Sequence, residues 1–194
     1  VERSKISDFA LSGGADGGEV TEDLLQHNGY SFMIVAYKLY TAGEQAVTEM
    51  VRDTVYALDT IAVEDTIKVV ERIDRINKVQ EEKTVYEWED GYLAPWQDVV
   101  NPVVAEAKAA GHRVFAATSF ASPEKLQQFR ADSGSDYPFF TGDDILLKTI
   151  VRSNPGVVLM KDGKIIQKWH YKKLPSFSEI QEEYLTQPSA ATQQ

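Results

Sequence analysis

The chain has 194 residues, of which 43% are hydrophobic, and a formal net charge of -10. It can therefore bury the core of one domain, or of one domain with an insertion. Its acidic excess argues against binding nucleic acid or anionic lipid headgroups, because both need clustered Lys and Arg. The sequence contains no cysteine, which excludes disulfides, thiolate catalysis and Cys-ligated zinc. No apolar run approaches the ~20 residues of a membrane-spanning helix, so we expect no direct membrane insertion by this chain.

The first forty residues predict two strands and a short helix. Residues 6–11 form a short strand candidate, and a glycine-rich turn over 13–18 leads to a helix over 22–26 that Thr21 can cap. Residues 30–37, YSFMIVAY, are a continuous apolar, β-rich run. Such a run predicts a strand that is covered on both faces.

Residues 45–95 predict a mainly helical insertion within a single domain that spans 1–185. Two aliphatic stripes at helical spacing support the helices; they consist of Val47, Val51, Val55 and Leu58, and of Val63, Ile67, Val70, Ile73 and Ile76.

Segment 59–90 of the insertion holds ten Asp or Glu against five Lys or Arg. This charged segment fits either a surface helix packed by its stripe or a docking element for a protein partner or a second copy. Aromatic residues often anchor interfaces, and the interface candidates at the end of this segment are Tyr86, Trp88, Tyr92 and Trp96.

The second half alternates helices and strands. Its predicted elements are a helix over 96–110, a strand over 112–118, a helix begun by Ser122-Pro123, a strand over 137–140, a helix begun by Asp143 or Asp144, and a last helix with a capping box from Ser176 to Glu179.

A proline and a tight turn frame the hairpin that precedes the last helix. Two β-rich runs, 157–160 and 165–169, are joined through an Asp-Gly pair, which is a strong hairpin signal. Pro155 cannot donate to a sheet, so it must lie at the entrance of the first of these strands. We expect its peptide bond to be cis and its position to be beside the end of the 30–37 strand.

Without the insertion, this order of elements predicts an α/β fold: a mostly parallel, mixed sheet flanked by helices. The order resembles the thioredoxin fold in its peroxiredoxin or TlpA form. In that fold a proline, usually cis, opens the strand that enters the closing hairpin and lies beside the redox cysteines.

The resemblance narrows to the soluble C-terminal thioredoxin-like modules of DoxX-type membrane proteins from Bacteroidetes. It rests on YSFMIVAY, a strand ending in Ala-Thr-Ser, a helix beginning Ser-Pro-Glu, YPFFTGDD, and LKTIVRSNPG followed by KDG and KWH. It covers about 6–40 and 96–185, whereas 45–95 departs from it. The resemblance implies a soluble domain tethered to the bacterial inner membrane by an upstream segment, and a chain that begins without Met fits this expectation. The polar tail, 186–194, is expected to be flexible.

Redox-active relatives carry a C-x-x-C motif at a helix N-terminus after the first core strand. The corresponding residues here are LYTAGE, 39–44, and we expect Thr41 only to cap a helix. The resemblance implies that Tyr37, Tyr40, Thr41 and Pro155 form a groove that could bind an extended peptide by strand addition. The alternative is that Pro155 only preserves the fold. No catalytic residue and no cofactor is expected.

The three histidines, His27, His112 and His170, show no metal-ligand spacing. We therefore predict no metal site. The function expected from the sequence is a redox-inactive binding or regulatory module. The alternatives are an enzyme with a cysteine-independent Asp/His site, and an assembly tail without a ligand.

Overall fold

The computed structural model describes residues 10–13, 18–63 and 66–185. The tail 186–194 and most of the strand predicted over 6–11 lie outside the described residues. The chain divides into two compact units. The core unit comprises Val1–Gly43 and Glu87–Gln194, and the hairpin unit comprises Glu44–Tyr86.

The nine strands of the described residues form a seven-stranded sheet and a two-stranded sheet. Their bounds are β1 Leu11–Gly13, β2 Gly18–Glu19, β3 Tyr30–Ala36, β4 Thr41–Val63, β5 Thr66–Trp88, β6 Arg113–Ser119, β7 Phe139–Gly142, β8 Gly156–Lys161 and β9 Lys164–His170. The larger sheet has the order β2-β1-β7-β6-β3-β8-β9. The β3–β6 and β6–β7 pairs are parallel, and the other pairs are antiparallel. The predicted α/β class with a mixed sheet is confirmed. The prediction that this sheet is mostly parallel is wrong, because two of its strand pairs are parallel and four are antiparallel; the closing hairpin and the amino-terminal strands β1 and β2 add the antiparallel pairs.

The helices of the core unit begin largely where their capping residues predict. Their bounds are α1 Thr21–Leu25, α2 Asn101–Ala109 preceded by a π-helical turn over Pro95–Val100, α3 Pro123–Ser133, α4 Asp144–Ile150 and α5 Phe177–Ile180. The side chain of Ser122 accepts a hydrogen bond from the Lys125 N–H, and that of Asp143 accepts one from the Leu146 N–H. Ser176 forms the predicted capping box with Glu179. Thr21 does not cap α1 as predicted. Its Oγ1 accepts a hydrogen bond from the Leu11 N–H at 2.8 Å and so ties α1 to β1.

The central strand β3 contributes to two hydrophobic clusters. Phe32, Ile34 and Ala36 belong to one cluster, which α2, α3 and α5 also line. Met33 and Val35 belong to the other, which α1 and α4 also line. Because successive side chains of a strand point to opposite faces, β3 is covered on both sides, as predicted. Full burial of each large apolar side chain stabilises the fold by roughly 1.5–3 kcal/mol.

The closing hairpin agrees with the sequence. The Asn154–Pro155 peptide bond is cis. The turn between β8 and β9 places Asp162 and Gly163 at φ values of 49° and 72°. The Asp162 N–H donates to the Gly29 carbonyl at 3.0 Å, and the Gly29 N–H donates to Asp162 Oδ1 at 2.8 Å. This reciprocal pair anchors the turn beside the start of β3.

The helices predicted within 45–95 are wrong. The hairpin unit lies inside that range, but it consists of β4 and β5, which pair only with each other among the described strands. Each of these strands has 23 residues, nine of them Val, Ile or Thr. Branching at Cβ disfavours helices and favours strands, and this preference outweighs the helical spacing of the aliphatic residues.

Two glycines test the packing of the closing turn. Gly163 and Gly91 share a φ of 72°, but a Cβ at Gly163 would overlap the Leu25 carbonyl, whereas none of the described atoms lies within 4 Å of a Cβ at Gly91. We expect Gly91→Ala to lower the free energy of unfolding by about 1 kcal/mol. Gly163→Ala should lower it by about 2 kcal/mol more, because the backbone must also move. Urea denaturation measures both values, and equal losses would contradict the close approach.

Candidate functional site

The loop that follows β3 lies at the carboxyl end of a parallel strand, the edge where open α/β sheets usually place ligands. It contains Tyr37 and Tyr40, both half-buried. Val35 pairs with Gly156 across β3 and β8, so Pro155 lies beside the end of β3, as predicted. Pro155 itself is buried. It therefore supports this loop from within and does not form an exposed wall of the expected groove.

The backbone carbonyl of Lys38 holds the loop in place. It accepts hydrogen bonds from the Tyr92 hydroxyl at 2.8 Å and from Asn154 Nδ2 at 2.7 Å. Tyr92 follows β5 in sequence, and Asn154 precedes the cis proline. The carbonyl thus joins three segments that are distant in sequence.

The rings of Tyr37 and Tyr40, together with Lys38 and Lys148 beside them, form a surface at this loop, which we call the tyrosine surface. The Tyr40 ring meets the Tyr92 ring edge-on at 5.4 Å between centroids. Lys38 Nζ lies 5.0 Å from the Tyr40 centroid, and Lys148 Nζ lies 5.5 Å from the Tyr37 centroid. Burial, followed by the neighbouring Tyr40, raises the pKa of Tyr37. Burial likewise raises the pKa of Tyr92. Both hydroxyls therefore stay neutral near pH 7.

Three buried side-chain atoms of the described residues have no hydrogen-bond partner: Trp96 Nε1, Thr118 Oγ1 and Asn154 Oδ1. Trp96 and Asn154 both adjoin Tyr92. Both side chains thus lie beside the Tyr92 hydroxyl, which donates to the Lys38 carbonyl.

Thr41 does not cap a helix, and that prediction is wrong. It is the first residue of β4, and it is half-buried. The chain continues from the β3 loop into a strand, because the residues after Thr41 favour strand structure. Consequently no helix N-terminus stands at this position to lower the pKa of a nucleophile.

The predicted aromatic interface does not exist as a set. Trp96 is 0% exposed and Tyr92 is buried, and both lie in the cluster that α2 and α3 line. Trp88 packs edge-on against Phe129 at 5.0 Å, and its Nε1 donates to Asp132 at 2.8 Å. Core packing therefore uses these rings, and only Tyr86 and Trp88 remain half-buried.

A second cleft, of about 780 Å³, adjoins the carboxyl ends of β6 and β7. Its lining includes Phe120, Leu126, Phe139 and Thr141. Phe120 is 87% exposed. None of the residues that line this cleft is among the candidate site residues predicted from the sequence. A large aromatic residue directly after a buried strand is the one local signal for it.

His112 lies among aromatic rings. Its ring centroid lies 5.9 Å from Tyr30, 6.0 Å from Phe32 and 6.1 Å from Phe177. Burial lowers the pKa of His112. Within 10–13, 18–63 and 66–185, no group of three or more His, Cys, Asp or Glu could hold a metal ion.

Comparisons of the chain with protein-family models, with curated proteins and with solved structures find no match. In the part of the chain that the structure describes, no helix combines the length and the apolar character that crossing a membrane would require.

The lowered pKa of His112 predicts a pH-dependent stability. The His112 imidazole binds a proton near pH 6.5 in the unfolded chain and only at lower pH in the folded chain. Neutral His112 therefore makes its full contribution to the free energy of unfolding above about pH 6.5. This contribution is lost as the pH falls through about 6.5. We expect His112→Phe, which keeps a ring in place, to lose less stability than the wild type between about pH 7.5 and 5.5. Urea denaturation at constant ionic strength measures this, and identical pH dependences would contradict it.

Proposed function

We propose that the core unit is a thioredoxin-like module without redox activity, and that it binds a protein partner at the tyrosine surface. The strand order β6-β3-β8-β9, with one parallel and two antiparallel pairs, supports the thioredoxin-like assignment. Helices on both faces of the sheet and a cis proline before β8 support it as well.

The hydrogen bonds to the Lys38 carbonyl are the observation that carries the binding role. A loop held by Tyr92 and Asn154 is ordered before a ligand arrives, which lowers the entropy lost on binding. The loop presents the half-buried rings of Tyr37 and Tyr40. Such rings contribute large contact area with few rotatable bonds. They suit an extended peptide segment, which can lie across them.

Redox inactivity follows from the chemistry of this position. Thiol–disulfide exchange requires a thiolate that attacks a disulfide sulfur, and the chain has no cysteine. The first residue past the loop, Thr41, belongs to a strand, and a hydroxyl needs an adjacent base to become a nucleophile.

The membrane setting belongs to the same proposal and rests on the sequence resemblance alone. The segments LKTIVRSNPG, KDG and KWH support a module that follows the transmembrane part of a DoxX-type protein. In that setting the core unit would bring a partner to the inner membrane. Several apolar spans encoded upstream of Val1 would support this part of the proposal.

The enzyme alternative, an Asp/His site on the same fold, gains no support from His112, whose neighbours are the aromatic rings of Tyr30, Phe32 and Phe177. His170 is engaged locally, because its Nδ1 accepts a hydrogen bond from the Lys172 N–H at 3.1 Å.

A peptide-display selection tests the binding role. We expect the wild-type protein to enrich a family of extended sequences from a random library. Tyr40→Ala should reduce the affinity for a selected peptide at least ~10-fold, because a central aromatic contact contributes more than 1 kcal/mol. Phe120→Ser is the matched control, since it removes an exposed aromatic ring from the second cleft; it should leave the affinity unchanged.

Two results would contradict the proposal. If no peptide is enriched over an unrelated protein, the tyrosine surface does not bind extended segments. If Phe120→Ser abolishes binding and Tyr40→Ala does not, the second cleft is the binding site. An insulin-reduction assay with dithiothreitol serves as the redox control, and any turnover above buffer would contradict redox inactivity.

A further inference from the structure

The hairpin unit leaves apolar side chains unburied on a sheet of only two strands. The large apolar residues that it exposes are Val47, Met50, Tyr56, Leu58, Val69, Val70, Ile73, Ile76, Val79 and Val85. An isolated two-stranded hairpin is at best marginally stable in water, and a third layer or strand is usually needed. These residues therefore indicate a surface that is covered in an assembly.

One ion pair assigns these residues to the two faces of the hairpin. Arg72 Nε contacts Asp59 Oδ2 at 2.5 Å, so the two side chains project from the same face. Side chains of a strand alternate between faces. Odd-numbered residues of β4 therefore share a face with even-numbered residues of β5. The Glu89 N–H donates to the Tyr40 carbonyl at 3.3 Å, just beyond the ends of the two strands. This hydrogen bond also joins an odd-numbered residue to an even-numbered one, so it agrees with the assignment of faces.

The two faces differ in apolar exposure. The face opposite the ion pair, here called the Met50 face, carries the majority of the exposed apolar residues: Met50, Tyr56, Leu58, Val69, Ile73, Val79 and Val85. The face that carries the ion pair, here called the Val47 face, has the exposed apolar residues Val47, Val70 and Ile76. Leu58 on this face opposite the ion pair is 68% exposed. The Met50 face is thus the one that a partner would cover.

The faces also differ in charge. Within residues 44–59 and 69–86, the Met50 face has three acidic and three basic residues: Glu44, Glu71, Glu81, Arg52, Arg75 and Lys83. The Val47 face has five acidic and two basic residues: Glu49, Asp53, Asp59, Asp74, Glu82, Arg72 and Lys78. A face with no net charge can pack against an identical face without the repulsion that an acidic chain otherwise produces.

The size of the Met50 face fits a dimer. Two paired strands of 23 residues are about 75 Å long and about 10 Å wide, which gives one face on the order of 700 Å². A stable interface buries about 800 Å² on each partner. We infer that the Met50 face is the contact surface between two copies of this chain. Two such faces would form a two-layer sheet in which each buries the apolar residues of the other.

This inference is independent of the proposed function, because it concerns the hairpin unit and not the tyrosine surface. Balanced charges on the Met50 face also argue against a lipid surface as the occupant, since Glu44, Glu71 and Glu81 would enter the membrane with the apolar side chains.

Two isoleucines of β5 provide a matched test. Ile73 and Ile76 are 56% and 54% exposed, and they lie on opposite faces. We expect sedimentation velocity to show a concentration-dependent dimer for the wild-type chain. Ile73→Lys, which places an unpaired charge in the contact, should weaken dimerisation at least ~30-fold. Ile76→Lys, the control on the Val47 face, should change it by less than ~3-fold.

A second pair of variants separates dimerisation from folding of the hairpin. Tyr56→Thr combined with Ile73→Thr keeps strand-favouring residues while removing apolar area from the Met50 face. Val47→Thr combined with Ile76→Thr is its counterpart on the Val47 face. The two double variants should have the same far-UV circular dichroism spectrum. Only the variant with Tyr56→Thr and Ile73→Thr should be monomeric. A wild-type chain that remains monomeric at about 100 µM, or equal weakening by the two pairs, would overturn the inference.

Discussion

The burial of β3 on both faces is the constraint on which the core unit depends. Residues 31–36 are all buried. Alternate side chains of this strand, with Phe32 on one side and Met33 on the other, enter two separate hydrophobic clusters. A strand of this kind needs a neighbour on each edge and a helical layer on each face. Strands β6 and β8 supply the neighbours, and the helices supply the layers.

The position of β3 also determines where a binding site can form. Its edges and faces are filled, and at its carboxyl end the chain leaves the core through the loop at Tyr37–Tyr40. The Lys38 carbonyl fixes that loop through Tyr92 and Asn154. Here the loop leads into a strand, and aromatic rings occupy the surface, and the proposed binding role rests on both features.

Local signals in the sequence predicted the core unit well. The caps of α3, α4 and α5, the apolar run of β3, and the proline and Asp-Gly turn of the closing hairpin each depend on a few neighbouring residues. Each of these signals involves residues that are close together in the sequence, so it can be recognised without knowledge of the tertiary structure.

Predictions were wrong where two local preferences conflicted, or where contacts between residues distant in sequence decided the structure. In the hairpin unit, apolar residues three and four apart matched a helix, while the nine β-branched residues in each strand favoured a sheet. An aromatic cluster in the sequence does not reveal whether the core will bury it, so the interface predicted at Tyr92 and Trp96 is wrong. The cleft beside Phe120 has one local signal, the aromatic residue after β6, and its walls could not be predicted because three elements far apart in sequence form them.

Both hydrophobic clusters of the core unit consist of residues outside 44–86, so we expect the core unit to fold without the hairpin unit. The two core segments that lead into and out of the hairpin unit lie close together, since the Glu89 N–H donates to the Tyr40 carbonyl at 3.3 Å. Residues 44–86 can therefore be replaced by an Asn-Gly turn that joins Gly43 to Glu87. Thermal unfolding of this shortened chain, followed by near-ultraviolet circular dichroism of Trp88 and Trp96, is the most direct measurement. We expect one cooperative transition and a native aromatic signal. A chain without that signal, or without a cooperative transition, would contradict it.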